Sequence, residues 1–260
     1  MKLISLNIWG GRVYKPLIEY VKQLNGEIDI FCFQEFFSSP ISKFNNNGTK
    51  TDIYSEISNI LKDYYAFFAP TFTGYDTNEK VDFDLKFGQA TFVKKSLNLI
   101  SGETVFVYGQ YDITPSIFIP GIKDGLDLPR NIHLIKIKSN NKNYLIGNLH
   151  GYWTPGSKND TPQSISQMEK VKEIFDNFNG PKVLCGDFNL HPDTKSVKIL
   201  EEKMKNLIIE YKVTNTRSKF YTRNEKFADY ILVSPDINIK DFSVLDEHVS
   251  DHLPLFLDFG

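Results

Sequence analysis

The chain has 260 residues, of which 41% are hydrophobic and 24% charged, an ordinary composition for a globular protein with a sizeable core. Its 30 basic and 32 acidic residues give a net charge of −2, which excludes an overall positive field that would draw it to nucleic acid. No linker rich in Pro, Gly or Ser divides the sequence, and we therefore expect residues 1–260 to form one domain.

The cysteines and the N-terminal residues bear on the compartment. Cys32 and Cys185 each lie in an apolar run, which favours reduced core thiols over a disulfide or a thiolate metal site. Met1 leads directly into a strand pattern, and no segment approaches the roughly 18 apolar residues of a membrane span. We therefore expect no signal peptide, no membrane span, a cytoplasmic location and, by default, a monomer.

The N-terminal region predicts a strand, a helix and a second strand. The two strands are expected over residues 2–8 and 28–33, with the helix over 16–26 between them. Asn7 lies near the end of the first strand, and Glu35 follows the second. Parallel pairing of these strands would bring Asn7 and Glu35 side by side.

The middle of the chain predicts a helix, several antiparallel strands and long loops. The helix is expected over 53–61, strands over 64–69, 88–94, 97–108 and 132–137, and loops over 38–51, 70–87 and 109–129. Loops of this length in a compact domain are more often functional than idle.

The order of strand, helix and strand then occurs again. A strand over 144–149 ends at His150, a helix follows from 161 to 178, and a third apolar run ends in Asp187-Phe188-Asn189. On a continuing extended backbone, Asp187 and Asn189 would face the same side, although both residue types are also common turn formers. The two halves are alike in plan, and their simplest packing is face to face with helices outside.

The C-terminal part carries a basic stretch and two further polar strand ends. Residues 203–226 hold seven Lys or Arg against two Glu, a pattern more typical of a solvated face than of a binding surface. The next strand, 227–233, contains Asp229, which needs a partner if it is buried. Asp251 and His252 lie on a turn before the last predicted strand.

Polar residues at strand ends form the candidate site: Asn7, Glu35, His150, Asp187, Asn189, Asp229, Asp251 and His252. Oxygen-rich ligands without clustered thiols suit Mg²⁺ or Mn²⁺ better than zinc. In these residues the chain resembles the endonuclease/exonuclease/phosphatase superfamily, which contains DNase I, exonuclease III-type repair enzymes, sphingomyelinases, inositol-phosphate 5-phosphatases and poly(A) deadenylases. The matching stretches, in the family's order, are 5–9 (SLNIW), 33–35 (FQE), 147–150 (GNLH), 186–189 (GDFN), 228–230 (ADY) and 250–252 (SDH).

The resemblance implies an α/β fold, a four-layer α/β sandwich of two stacked mixed β-sheets flanked by helices (DNase I-like), with the site at one end. It also implies that Glu35 is the principal ligand of a metal ion, Mg²⁺ or Mn²⁺, with Asn7 and Asp251 beside it. Whether one metal ion or two take part stays open.

The same resemblance implies roles in the chemical step. Asp187 and Asn189 would hold and polarise the attacking water, and Asp229 would orient His252. His150 and His252 would contact the scissile phosphate. Family members differ on whether the acid at Asp187 or the Asp229–His252 pair is the base, and the sequence leaves both open.

The predicted function is that of a Mg²⁺-dependent phosphoric-ester hydrolase, a phosphodiesterase or phosphatase. Exonuclease III-type enzymes usually have Asn or Asp where this chain has Trp9, and they generally lack a histidine at the place of His150, which argues against abasic-site repair. The alternative is a DNase I-like nuclease acting on DNA or RNA, which only the 203–226 stretch supports. A catalytically inactive binding module is less favoured because every expected position is filled.

The expected substrate is a small phosphate ester rather than long duplex DNA, so nucleic acid is possible but not favoured as a partner. Outside 203–226 the charge is balanced to acidic, and the 70–87 loop carries four acids. The 151–160 loop offers Tyr152, Trp153 and Lys158, which suit one apolar or planar group. Trp153 has an alternative role, which is to pack its loop onto the domain.

Overall fold

The computed structural model describes residues 1–111 and 128–260, and the predicted loop over 109–129 falls mostly outside them. One six-stranded sheet consists of β1 (Lys2–Asn7), β2 (Ile30–Ser38), β3 (Tyr64–Thr73), β4 (Lys86–Lys94), β11 (Ile239–Val244) and β12 (Leu255–Phe259). The second consists of β5 (Asn98–Tyr108), β6 (Arg130–Ser139), β7 (Lys142–His150), β8 (Lys182–Asp187), β9 (Lys205–Asn206) and β10 (Asp229–Val233).

Helices connect or flank these strands. They are α1 (Tyr14–Leu24), α2 (Ile53–Ile60), α3 (Pro162–Asp176), α4 (Lys195–Glu201) and α5 (Leu207–Glu210), with a 3₁₀ turn at Trp9–Gly11. Thr161 begins α3 as a capping residue, because its side chain accepts the Ser164 N–H while the Ser164 hydroxyl accepts the Thr161 N–H. None of the helices in the described residues has the length and apolar character that a bilayer crossing needs.

Both sheets are mixed and share one plan. The first has the order β11-β12-β1-β2-β4-β3, and the second β5-β6-β7-β8-β10-β9. In each, the strand–helix–strand unit supplies the parallel pair, β1 with β2 and β7 with β8, while every other pairing is antiparallel. The predicted α/β sandwich of two mixed sheets flanked by helices is thus confirmed. That residues 1–260 form one domain stays a prediction.

Several predicted boundaries in the first sheet are wrong. Strand β3 continues to Thr73 and pairs with β4 from Lys86 onward, so the predicted 70–87 loop is shorter. The pairing register shifts between Pro70 and Phe72, and such an irregularity on an edge strand tolerates proline. Strand β11 has no counterpart in the sequence prediction, because the neighbouring charges of Lys240 and Asp241 mask its alternation.

Two apolar cores hold the layers together. One lies between the sheets and joins, for example, Leu3 and Ile30 of the first sheet with Ile146 of the second, and it continues to Phe175 of α3. The other packs the outer face of the first sheet, including Phe33, against α1 and α2. Cys32 and Cys185 are free and fully buried, as expected for core thiols.

Polar side chains also bridge the sheets. Gln34 Nε2 donates to Asn148 Oδ1 at 2.6 Å, and Asn148 Nδ2 donates back to the Phe33 and Ala90 carbonyls at 3.2 and 3.1 Å. Gln34 and Asn148 are completely buried. Because buried amides need partners, these bonds fix one sheet against the other next to the strand ends that carry the candidate site.

Candidate active site

The carboxyl ends of the two parallel strand pairs meet at one end of the sandwich. Asn7, at the end of β1, donates from Nδ2 to Glu35 Oε1 at 2.9 Å and to Asp187 Oδ2 at 3.0 Å. The second bond crosses from one sheet to the other. Asn7 and Glu35 therefore lie side by side, as parallel pairing required, and both adjoin Asp187.

Glu35 lies in a β-bulge rather than beyond the end of its strand. Strand β2, expected to stop at residue 33, runs on to Ser38, and its register against β4 shifts between Phe33 and Phe36. Glu35 has a φ of 56°, a left-handed backbone conformation that is rare for residues other than Gly and Asn. The bulge turns the Glu35 carboxylate into the site while the strand resumes with buried phenylalanines.

Asp187 and Asn189 approach each other through a turn, not along an extended backbone. Strand β8 ends at Asp187, and Asn189 has a φ of 59°. The Asn189 N–H donates to Asp187 Oδ1 at 2.8 Å, the bond of an Asx turn. The Asn189 side chain accepts from Lys158 Nζ and donates to the Gly151 carbonyl. Both residues reach the site, and the Asx turn, not an extended backbone, places them there.

His252 and Asp229 form a tight buried pair. His252 Nδ1 lies 2.8 Å from both carboxylate oxygens of Asp229, and Thr216 Oγ1 donates to Asp229 Oδ2 at 2.9 Å. Asp229, the buried acid of β10, thus has the hydrogen-bond partners that a buried carboxylate needs. His252 Nε2 points toward Asp187 Oδ2 at 3.7 Å and Asp251 Oδ1 at 3.8 Å.

His150 ends β7 beside the carboxylates of both sheets. Its Nε2 lies 3.9 Å from Glu35 Oε1 and 4.0 Å from Asp187 Oδ2. Burial and the nearby Arg130 hold the pKa of His150 well below its usual range, although Asp187 opposes them. His150 is therefore neutral at neutral pH, and a neutral imidazole has one ring nitrogen that donates a hydrogen bond and one that accepts.

Three cations lie in the site, and of these only Lys158 was predicted, as part of the 151–160 loop at its rim. Arg130, Lys158 and Arg217 are 3%, 6% and 6% exposed, and all line the same cleft. Burial lowers the pKa of Arg130 to about 10 even though Glu35 and Asp187 raise it. The six other basic residues of 203–226 are exposed, so the expected solvated face holds for them and is wrong for Arg217.

Arg217 owes its position to contacts distant in sequence. It forms an isolated β-bridge with His252, flanked by hydrogen bonds from Ser218 N to the Asp251 carbonyl and from Leu253 N to the Thr216 carbonyl. Its guanidinium donates to His252 Nε2 and stacks on Tyr221 with 4.1 Å from Cζ to the ring centroid. In the sequence, the basic stretch 203–226 followed by a strand does not predict a bridge between Arg217 and His252.

The carboxylates of the site differ in their electrostatic surroundings. Burial would raise the pKa of Asp187, but His252, Lys158 and other nearby cations hold it well below its usual range. Burial and then Asp251 raise the pKa of Glu35, against the Asn7 hydrogen bond. The site therefore contains a firmly ionised Asp187 and a Glu35 whose charge is poorly compensated.

Two groups of side chains in the described residues have the donor spacing of a metal site. In one, donor atoms of Glu35, His150 and Asp187 lie within 4.8 Å of one another, and in the other those of Asp187, Asp229 and His252 do. Asp251 lines the cleft beside them. Asn7 turns its amide nitrogen to the carboxylates, and its Oδ1 accepts the Trp9 N–H at 2.9 Å, so it becomes a ligand through oxygen only if the amide turns over.

These side chains open into a cleft of about 450 Å³. Trp153 lines the cleft and also packs against the outer core of the first sheet. It therefore contributes to the cleft wall and at the same time packs its loop onto the domain. Tyr152 does not line the cleft. It is buried edge-on against Tyr108, with 4.9 Å between ring centroids.

The cleft wall from the 70–87 segment is also not acidic. Thr77 and Asn78 line the cleft, whereas its four acids do not. Asp76 is buried and accepts the N–H groups of Asn78 and Glu79, at 2.7 and 2.9 Å, so it shapes the turn. The four acids of this segment therefore do not form the acidic rim that was expected of them.

Two stacked mixed sheets with a carboxylate and imidazole cluster at their end define the DNase I-like class of folds. The chain belongs to the Endonuclease/Exonuclease/phosphatase family, whose profile matches residues 4–252. Members of this family are typically hydrolases that act on phosphoesters. Comparison with curated protein sequences gave no match.

Solved structures share the fold at low sequence identity. The mannosyl-6-phosphatase Bt3783 of Bacteroides thetaiotaomicron VPI-5482 is 17% identical with a TM-score of 0.70, over 100% of this chain and 99% of that one. A family protein from Leptotrichia buccalis C-1013-b is 14% identical with a TM-score of 0.69, over 100% and 99%. D. rerio TDP2, complexed with single strand DNA product, is 12% identical with a TM-score of 0.63, over 100% and 98%.

Proposed function

We propose that this chain is a Mg²⁺- or Mn²⁺-dependent phosphoric-ester hydrolase, a phosphodiesterase or phosphatase that acts on a small substrate. The observation that carries the proposal is the meeting of Glu35 and Asp187 with the Asp229–His252 pair in one cleft. Hydrolysis of a phosphoric ester needs neutralised charge, a positioned water and a proton for the leaving group. Carboxylates, imidazoles and guanidiniums around this cleft are groups that supply these needs.

The donor set fits a hard divalent cation. Glu35 is assigned as the principal ligand, with Asn7 and Asp251 beside it, because carboxylate and amide oxygens match Mg²⁺ and Mn²⁺. The raised pKa of Glu35 reflects burial and the facing charge of Asp251, and a cation at this place would relieve both. When bound, it supplies neutralisation of the phosphate charge.

Asp187 and Asn189 are assigned to the attacking water. Because the pKa of Asp187 is held well below its usual range, its carboxylate stays ionised and is available as a hydrogen-bond acceptor. The turn that carries Asn189 fixes its side chain through Lys158 and the Gly151 carbonyl. A water held between an acceptor and an amide is oriented for in-line attack.

His252 and His150 are assigned to the phosphate and its leaving group. Burial and Arg217 lower the pKa of His252, but Asp229, Asp251 and Asp187 outweigh them and raise it. Arg217 only donates, so its contact with Nε2 requires the neutral ring, and protonated His252 requires Arg217 to turn to another acceptor. A phosphate oxygen would be such an acceptor, which couples substrate binding to a protonated His252.

The size and polarity of the cleft favour a small ester. A volume of about 450 Å³ lies within the range of small-molecule sites. Trp153 contributes an aromatic surface to the wall. These features suit the enclosure of one phosphate and the group attached to it.

A nuclease is the second candidate. The exposed Arg223 lines the cleft, and exposed Lys219 and Lys226 lie on the same stretch as Arg217. Such cations bind nucleic acid backbones by releasing counterions, which makes binding strongly salt-dependent.

The deciding experiment compares substrates under one set of metal conditions. We expect hydrolysis of p-nitrophenyl phosphate or bis(p-nitrophenyl) phosphate with millimolar Mg²⁺ or Mn²⁺, and its loss in excess EDTA. Asp187→Asn, purified identically, controls for contaminating phosphatases.

Two results would contradict the proposal. Full activity in excess EDTA removes the metal site. Efficient plasmid nicking that falls steeply between low and physiological salt replaces the small-ester hydrolase with the nuclease.

A further inference from the structure

A cation on the side of the cleft formed by the first sheet has no part in the chemistry described above. Arg12 follows the 3₁₀ turn Trp9–Gly11, and its guanidinium carbon lies 4.7 Å from the centroid of the Trp9 ring. Arg12 and Trp9 line the same cleft as Glu35 and Asp251. The scissile centre and this pair thus face a common space.

The backbone holds this pair in place next to the site. Trp9, Gly10 and Gly11 have φ values of 53°, 61° and 74°, three consecutive left-handed residues. A Cβ at Gly10 would lie 2.7 Å from the Thr49 side chain, so the turn packs closely on the neighbouring loop. The Trp9 N–H donates to Asn7 Oδ1, which ties the turn to the end of β1.

The charge of Arg12 is uncompensated among residues 1–111 and 128–260. No carboxylate oxygen there lies within 4.0 Å of it, and its one hydrogen bond, from Nη2 to Thr77 Oγ1, is 3.2 Å long. Arg12 Nε is buried without a hydrogen-bond partner in the described part of the chain. An anion in the cleft would offer the Arg12 guanidinium charged acceptors that the described residues do not supply.

The Nε atoms of Arg130 and Arg217 are also buried without a hydrogen-bond partner in the described residues, but these two cations interact with the acidic floor of the site. Arg130 is attracted by Glu35 and Asp187, and Arg217 by Asp229, Asp187 and Asp251. Their charges balance the acidic floor of the site. Within residues 1–111 and 128–260, the Arg12 guanidinium has only the Thr77 hydroxyl as a side-chain partner besides the Trp9 ring, and its charge remains available to a ligand.

We propose that Arg12, Trp9 and Thr77 form a second anion subsite, which binds a phosphate or carboxylate carried by the same small molecule whose ester is cleaved at Asp187 and His252. The substrate class is accordingly a bisphosphate, or a phosphate ester of a carboxylic acid. A guanidinium held against an aromatic ring is a strong and well-oriented partner for either anion. The cleavage half of this inference rests on the proposed function, whereas the subsite itself does not.

The test measures binding of probes that cannot be hydrolysed. Calorimetry compares α,ω-alkane diphosphonates of graded length with alkyl monophosphonates of equal length, in Mg²⁺ and in EDTA. We expect at least one diphosphonate to bind 10-fold or more tightly than its monophosphonate, about 1.4 kcal/mol. Phosphonocarboxylates of the same length show whether the second anion is preferred as phosphate or carboxylate.

Variants assign the preference to Arg12. Arg12→Gln should abolish it, Thr77→Val should reduce it, and Lys226→Gln should leave it intact because Lys226 is an exposed cation outside the cleft. Thr77→Val keeps the test decisive if Arg12→Gln fails to fold.

The outcomes separate the two proposals. Equal binding of diphosphonates and monophosphonates at every length overturns the subsite, as does a preference that survives in Arg12→Gln. Arg12-dependent binding by a protein that hydrolyses no phosphoester overturns the proposed function and leaves the subsite standing.

Discussion

His252 Nδ1 lies 2.8 Å from both oxygens of the Asp229 carboxylate, although the two residues come from a strand and a turn that are 23 positions apart. The bond fixes the ring so that Nε2 faces Asp187 and the cleft. It also places a buried negative charge against the imidazole, which favours its protonated form.

Asp229→Asn should therefore shift the pH dependence of kcat. Loss of the carboxylate lowers the pKa of His252, so a step that needs protonated His252 should fail at a lower pH than in the wild type. We expect the alkaline limb of the kcat profile to move to lower pH and kcat to fall by about 10²-fold. Asp246→Asn is the control, because Asp246 forms an exposed Asp–His contact with His248 at 3.3 Å. An unmoved limb in Asp229→Asn would contradict the assigned role.

Asp187→Asn and His252→Ala should each lower kcat by at least about 10²-fold, the usual scale for a positioned acid, base or electrostatic contact. Both residues lie at the end of the sandwich and contribute little to its apolar cores. Circular dichroism melts should therefore show folded proteins. Wild-type turnover in either folded variant would remove that residue from the mechanism.

Glu35→Gln should separate stability from metal binding. Because burial and Asp251 raise the pKa of Glu35, its ionisation opposes folding at neutral pH, and the neutral amide should raise Tm in EDTA. Mg²⁺ at about 100 times its Kd should stabilise the wild type by about 2.7 kcal/mol and the variant much less. Thermal shift with and without metal measures both, with Glu103→Gln on the surface as control. An equal response to Mg²⁺ would exclude Glu35 as a ligand.

His133 should make the protein sensitive to acid. Burial lowers the pKa of His133 to about 4, and its ring is hydrogen bonded to Thr91. The unfolded chain binds a proton near pH 6.5, so stability is full above that pH and is lost as pH falls toward 4, by up to about 3 kcal/mol. In His133→Gln, the free energy of unfolding should change less between pH 7 and 4, whereas the partly exposed His191→Gln should behave as wild type. Parallel curves for His133→Gln and wild type would refute this.

Gly186→Ala should be far more damaging than Gly26→Ala. Gly186 has a φ of 140°, and a Cβ there would lie 1.9 Å from the Leu149 carbonyl oxygen on the neighbouring strand. Gly26 has a φ of 87° with no atom within 4 Å of an added Cβ. Urea unfolding should show a cost of about 1–2 kcal/mol at Gly26 and more than about 4 kcal/mol at Gly186. Similar losses of stability in the two variants would contradict this prediction, because they would show that β7 and β8 move apart easily at Leu149 and Gly186.

The polar strand ends could be predicted because each follows a short apolar run in the sequence. Asn7, His150 and Asp187 end their strands as expected, and the repeated strand–helix–strand order predicted two halves packed face to face, which the family resemblance extended to two mixed sheets. Their roles stay predictions, because distances alone assign no chemistry.

Other features of the site were not predictable because they depend on backbone conformation or distant contacts. The bulge at Glu35 and the left-handed Asn189 are not encoded by hydrophobic periodicity. Arg217 reaches the cleft where its backbone bridges to His252, and in the sequence it is one cation among seven. Arg130 begins β6, and its charged side chain gives no sign in the sequence that it lies in the site.

The hydrogen bond between Gln34 and Asn148 has a mechanical consequence. Gln34 precedes Glu35, and Asn148 lies two residues before His150, so each amide is tied to a candidate site residue of its own sheet. Apolar contacts have no direction and permit small sliding of one layer over the other, whereas a short buried hydrogen bond does not. The hydrogen bond between Gln34 and Asn148 therefore resists sliding of the two sheets, and this keeps the distance between Glu35 and His150 constant.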